Sequence, residues 1–256
     1  MSVHEMLGGS LLAVVATLGA CAALGGHSAR PPSAVARAAA PDTSGLAGLP
    51  LVESPAAALG DSRVAILLTG DGGAVAADRA MAAAFNRRGI SVVLLDSRRY
   101  LQTPRTPPEA SHDLARILRH YVAAWRRPDV LIVGYSRGAV IAPFMVNGLP
   151  PDLRRSITLV ALLGPSANAN FHFHWIDLVK NVPHDGDLPL LPELEKLRGT
   201  PVVCVYGSAD ADAICPKVAP ALVRAVRRTG GHALKRADAE EVVGLVLASA
   251  GAESGG

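Results

Sequence analysis

The stretch from Asp129 to Val146 constrains the fold more than any other part of the chain. Asp129-Val130-Leu131-Ile132-Val133 is short, apolar and rich in β-branched residues, the composition of a strand buried on both faces. Ala139 to Val146 is an apolar run that reads as a helix. Between them stands Gly134-Tyr135-Ser136-Arg137-Gly138. A Gly-x-Ser-x-Gly turn from strand into helix is the signature of a nucleophile elbow. The two glycines let strand and helix pass close to a serine held in a strained backbone conformation. The helix N-terminus leaves backbone N–H groups beside the serine, where an oxyanion can be stabilised. The pattern therefore predicts Ser136 as a nucleophile.

The rest of the chain repeats the alternation. Arg63 to Thr69, Ile90 to Asp96, Ser156 to Leu163 and Pro201 to Tyr206 are apolar runs of strand length. Ala76 to Arg88, Glu109 to Trp125 and Glu240 to Ala248 read as helices, the second with a stripe of Leu114, Ile117, Leu118, Tyr121 and Val122. Such an order predicts a mostly parallel central sheet with helices on both faces, here the α/β-hydrolase fold, spanning about residues 50–248. Sites in such sheets gather at the carboxyl ends of the strands.

A serine hydroxyl needs a base to accept its proton and an acid to orient that base. In this fold the chain order is nucleophile, acid, histidine. The exit loop Ser208-Ala209-Asp210-Ala211-Asp212 offers two acids, Asp210 and Asp212, and spacing separates neither. His232 follows a glycine pair before the last helix, where the base belongs. The oxyanion hole is expected from the Arg137 N–H and from the loop Gly70-Asp71-Gly72-Gly73, through Asp71 or Gly72. That loop lacks a Walker lysine, which argues against nucleotide binding. His172 and His174 share one face of Phe171-His172-Phe173-His174-Trp175, but no cysteine or carboxylate cluster completes a metal site. The segment is read as bordering the mouth of the site, with Tyr135 and His174 as substrate-binding candidates. The insertion from Gly164 to Thr200 is read as a lid. Neither a metal nor an organic cofactor is expected.

The N-terminus reads as a targeting segment. Leu7 to Gly26 carries no charge, and Leu18-Gly19-Ala20-Cys21 matches a lipobox whose cysteine takes lipid. Residues 1–26 are thus expected to be a signal or anchor, residues 27–49 a flexible tether and residues 249–256 a frayed tail. Periplasmic location at the membrane follows as an expectation. With Cys21 set aside, Cys204 and Cys215 form an even pair, and a disulfide is expected in an oxidising compartment. The formal net charge of +3 is mild, and nothing in the pattern suggests a nucleic-acid partner.

Several motifs together resemble the bacterial virulence protein family of VirJ and AcvB. They are Thr69-Gly70-Asp71-Gly72-Gly73, Asp96-Ser97-Arg98-Arg99-Tyr100, Gly134 to Ala139, Leu162-Leu163-Gly164-Pro165-Ser166, Asp212 with Cys215-Pro216, and Gly230-Gly231-His232. The resemblance implies hydrolysis of aminoacyl esters of phosphatidylglycerol at the membrane. It also implies an envelope or secretion-system protein as partner, and a non-catalytic accessory role is the competing expectation. It tilts the choice of acid toward Asp212 and supports the Cys204–Cys215 pairing. The chain departs from the family in Arg137, where Phe is frequent, and in Ala74 and Ala233-Leu234.

Overall fold

The computed structural model describes residues 44–57, 60–179 and 182–251. The expected signal and lipidation site at Cys21, most of the tether and residues 252–256 lie outside them. The strands are β1 (Leu51–Ser54), β2 (Arg63–Leu68), β3 (Ser91–Leu95), β4 (Asp129–Tyr135), β5 (Ile157–Leu163), β6 (Asn168–Ala169), β7 (Leu188–Pro189), β8 (Val202–Gly207) and β9 (Arg224–Arg228). The helices are α1 (Ala76–Asn86), α2 (Ser97–Tyr100), α3 (Pro107–Trp125), α4 (Arg137–Asn147), α5 (Pro151–Arg155), α6 (Leu191–Lys196) and α7 (Ala239–Gly251).

One seven-stranded sheet in the order β1-β3-β2-β4-β5-β8-β9 organises the molecule. Only β1 runs antiparallel, pairing Leu51 with Leu95. The period-two alternation of β2 divides its side chains between two cores. Val64, Ile66 and Leu68 pack with α3 and α4, while Ala65 and Leu67 pack with α1 and α7. Because both faces are covered, the central strands are apolar throughout. Helix α3 starts at a capping box. The Thr106 hydroxyl accepts from the Glu109 N–H, and the Glu109 carboxylate accepts from the Thr106 N–H at 2.8 Å.

Three boundaries differ from the sequence reading. Ser44–Leu46 form a 3₁₀ turn with Leu46 in the core, and the Arg116 guanidinium donates to the Gly45 carbonyl. One buried leucine thus extends the folded part into the expected tether. Helix α7 continues through Gly251, with Ser249 buried and its hydroxyl donating to the Leu245 carbonyl. The edge strands β1 and β9 were not legible, since a strand that pairs on one side only tolerates charges such as those of Arg224-Ala225-Val226-Arg227-Arg228. Among the described residues no helix is long and apolar enough to cross a membrane.

Candidate active site

The elbow sits where β4 ends, between β2 and β5. Its backbone is sewn to both neighbours: the Ser136 N–H donates to the Leu163 carbonyl at 2.9 Å and the Gly138 N–H to the Thr69 carbonyl at 3.0 Å. Strand and helix approach so closely that a Cβ on Gly138 would overlap the Leu68 carbonyl, and one on Gly134 would overlap the Gly138 carbonyl. Ser136 itself has φ 51° and ψ −111°, a conformation costly for a residue with a Cβ. This strain, held by the sheet, points the Ser136 side chain out of the strand ends.

Three strand-end loops converge there. The Ser136 Oγ lies 2.9 Å from His232 Nε2, and His232 Nδ1 lies 2.9 Å from Asp210 Oδ2. Asp210 turns in because its N–H donates to the Gly207 carbonyl at 3.0 Å, which tightens the loop after β8. Its side chain is 3% exposed, whereas that of His232 is 44% exposed. The carboxylate toward which the family resemblance leaned, Asp212, is exposed and has no hydrogen bond among the described residues. Two positions past Asp210, it falls outside the turn that aims the acid at the imidazole.

Arg228 and Tyr135 shape the histidine loop. The buried Arg228 guanidinium donates to the Thr229 and Gly231 carbonyls and pairs with Asp238 at 3.7 Å. The Tyr135 hydroxyl accepts from the Leu234 N–H at 3.0 Å, and its ring stacks against His232 with centroids 6.0 Å apart. Burial raises the Tyr135 pKa, so the phenol stays neutral. Tyr135 therefore braces His232 and lines the small pocket beside it with Gly164 and Asp210.

Around Ser136 the polar groups divide into two sets. The N–H groups of Arg137 and Asp71 donate to no partner among the described residues, which leaves them free for an oxyanion. Gly72 is exposed in the same turn, which the Gly73 N–H closes on the Gly70 carbonyl at 3.0 Å. The Arg137 side chain, by contrast, is buried and committed. Its Nε donates to Asp71 at 3.0 Å, one terminal nitrogen to Asp177 at 2.5 Å and the other to the Asn170 carbonyl at 3.4 Å. Burial opposes the Arg137 charge, but Asp71 and Asp177 outweigh it and raise the guanidinium pKa. The guanidinium thus ties the Gly70-Asp71-Gly72-Gly73 loop to the insertion that carries Asp177.

The lid segment carries β6, the 3₁₀ turn Trp175–Leu178, β7 and α6. Asp177 also accepts from His184 Nε2 at 2.7 Å, and His184 stacks on His174 at a centroid distance of 3.7 Å. Burial, then the neighbouring His184 and His172, lowers the His174 pKa. His174 is thus a member of a histidine stack within the lid. Among the described residues no three His, Cys, Asp or Glu side chains converge as a metal site. Asp177 and Asn170 carried no reading in the sequence, and Arg228, expected with Arg227 at a solvated end, is buried instead. The one usable signal was a lone carboxylate inside the apolar run Trp175-Ile176-Asp177-Leu178-Val179. A disulfide joins Cys204 of β8 to Cys215 in the following loop, with Cα atoms 5.7 Å apart. It ties the segment after the Asp210 turn back to the sheet.

An uncharged serine hydroxyl bonded to an imidazole, itself held by a buried carboxylate, is the arrangement that activates a serine for attack on a carbonyl. The whole molecule resembles solved structures of this kind in fold. An esterase from Pyrococcus furiosus superposes with a TM-score of 0.54 at 14% identity, covering 78% of this chain and 91% of that one. The esterase domain of a Rhodothermus marinus protein gives 0.52 at 16% identity, covering 77% and 89%. A proline iminopeptidase from Mycobacterium smegmatis gives 0.52 at 11% identity, covering 79% and 95%. At such identities the likeness establishes the α/β-hydrolase fold and leaves the chemistry to the site. No curated protein matches the chain in sequence. The model of the bacterial virulence protein family (VirJ) matches residues 62–251, and the chain belongs to that family.

Proposed function

We propose that the protein is an exported serine esterase that cleaves aminoacyl esters of phosphatidylglycerol at the membrane surface. The observation that carries this reading is the hydrogen-bonded series Ser136–His232–Asp210 at the strand ends. In it, His232 takes the Ser136 proton as the Oγ attacks the ester carbonyl. Asp210 holds the imidazole with its acceptor nitrogen toward the serine and stabilises the imidazolium that forms. The N–H groups of Arg137 and Asp71 receive the oxyanion. His232 then gives its proton to the departing glycerol oxygen, and water releases the aminoacyl group from Ser136 by the same steps in reverse.

Membership of the family supports the lipid substrate and the envelope setting. Lipidation at Cys21, or the uncharged stretch from Leu7 to Gly26 left uncleaved, supplies the membrane anchor in this reading, and residues 27–43 the tether. The test is to compare aminoacyl-phosphatidylglycerol in wild-type, deletion and Ser136→Ala strains. The lipid should accumulate equally in the last two. Unchanged lipid in the deletion strain would remove this substrate, and restoration by Ser136→Ala would favour an accessory role.

A further inference from the structure

Six large apolar side chains are exposed among the described residues, and four of them are nearly consecutive. Trp175 is 66% exposed, Ile176 50%, Leu178 43% and Val179 86%, all in or beside the 3₁₀ turn of the lid. A soluble surface rarely groups such residues without a partner. The residue among them that turns inward is Asp177, whose side chain is 3% exposed and bonded to the Arg137 guanidinium beside the nucleophile. The turn is therefore two-sided: its carboxylate anchors it at the active site, and its apolar residues face out.

The chemistry bordering this patch is cationic. The Arg98 guanidinium stands 4.9 Å from the Trp175 ring centre and 5.6 Å from that of Phe173, which lies buried beneath. Arg99 is exposed on the same short helix. Of the lid carboxylates, Asp177 is neutralised by the Arg137 guanidinium, Asp187 accepts from the neutral Asn170 amide, and Asp185 is exposed. A tryptophan among aliphatic side chains, with arginines at its border, matches the interface of an anionic bilayer. The indole and the guanidinium sit at headgroup level there, and the aliphatic groups enter the acyl boundary.

We infer that Trp175, Ile176, Leu178 and Val179 form a docking surface for an anionic lipid bilayer, which presents the mouth of the active site to the membrane. The inference rests on the proposed site meeting lipid substrate, but it concerns binding and is measured without turnover. Asp177 makes the docked turn and the elbow mechanically continuous. A tether alone would hold the domain near a membrane without orienting it, and this patch supplies the orientation.

The full chain reconstituted in vesicles tests it, since the protein has only two tryptophans, Trp125 and Trp175. Brominated phosphatidylglycerol in a phosphatidylcholine background should quench Trp175, identified as the signal lost in Trp175→Phe. Quenching should fall on the order of tenfold or more in Ile176→Ser/Val179→Ser, as expected when two aliphatic groups are withdrawn from lipid. It should also weaken when the brominated lipid is phosphatidylcholine alone. Quenching of Trp175 no greater than that of Trp125, or equal in the two vesicles, overturns the inference. Shielding that rises with protein concentration and ignores lipid overturns it in favour of a second copy. Fluorophosphonate labelling of the same vesicles reads the hydrolase site separately: labelling without quenching sinks the docking surface alone, and quenching without labelling sinks the hydrolase alone.

Discussion

Around Ser136 the backbone is committed to the sheet, with the serine N–H on β5, the Gly138 N–H on the end of β2, and a helix pressed against strands that are fully buried. The lid is built otherwise. Its two strands are two residues each, and its backbone is pinned to the body only at scattered points such as Phe171 to Arg105 and Phe173 to Leu101. Side chains add Arg137 on Asp177, Asn170 on Asp187 and His184 on Asp177. The elbow is determined by backbone closure, which tolerates little change. The lid seats Phe171, Phe173 and Leu190 in the core, ties its 3₁₀ turn to the elbow through buried polar contacts, and leaves Trp175, Ile176, Leu178 and Val179 outward. The difference separates a part that must be rigid to react from a part that can meet a partner.

The largest break in that comparison comes from the acid. Asp210→Asn should lower kcat/KM on a soluble ester by about 10,000-fold, as loss of the orienting carboxylate does in a serine triad, while Asp212→Asn leaves it unchanged. Steady-state kinetics on the two purified variants decide between them. Next in size, Gly138→Ala should cost more than about 3 kcal/mol, because the new methyl meets backbone rather than a movable side chain. Urea unfolding with unchanged m-value would show it.

Asp78 sharpens the rigid side further. It is fully buried in the first turn of α1 with neither oxygen in a formed hydrogen bond, and burial raises its pKa to about 6. A carboxyl whose folded pKa lies above its unfolded one takes up a proton on folding. Stability should therefore fall as pH rises from the ordinary carboxyl value to about 6, with the full penalty present at neutral pH. Asp78→Asn should gain up to about 3 kcal/mol at pH 7 and almost nothing at pH 4, read from unfolding curves at both.

On the lid side, Asp177→Ala should cost about 2 kcal/mol, less than a fully broken buried pair because Asp71 still holds Arg137. Hydrogen exchange should rise across residues 168–179 and stay unchanged in β4. Smallest of all, Ile176→Ser/Val179→Ser should shift stability by no more than about 0.5 kcal/mol, since both side chains are exposed. A large loss of melting temperature would mean that the patch is part of the core after all.

Much of the rigid side was legible in the residues, and for a local reason. Gly134 and Gly138 flank Ser136 in a pattern that is weak alone, and the apolar runs of strand length before it and helix length after it make it specific. The choice between Asp210 and Asp212 was not legible, because it depends on a hydrogen bond from the Asp210 N–H to Gly207 rather than on composition. Leu46 gave too little signal alone to mark the start of the folded part. The role of the Arg137 side chain was hidden for a different reason. Its partners Asp71 and Asp177 are remote in sequence, and nothing local distinguishes a guanidinium facing substrate from one buried between two carboxylates. Likewise, the disulfide expectation rested on counting, and the structure joins Cys204 to Cys215.

The proposed esterase requires Ser136 to be an activated nucleophile, made so by His232 and Asp210. Intact-mass analysis after treatment with a fluorophosphonate, with peptide mapping of the adduct, addresses it most directly. One adduct per chain should form on Ser136, lost in Ser136→Ala, strongly slowed in His232→Ala and Asp210→Asn, and unaffected in Asp212→Asn. An unmodified wild-type protein, under conditions where a control serine hydrolase reacts fully, would contradict it.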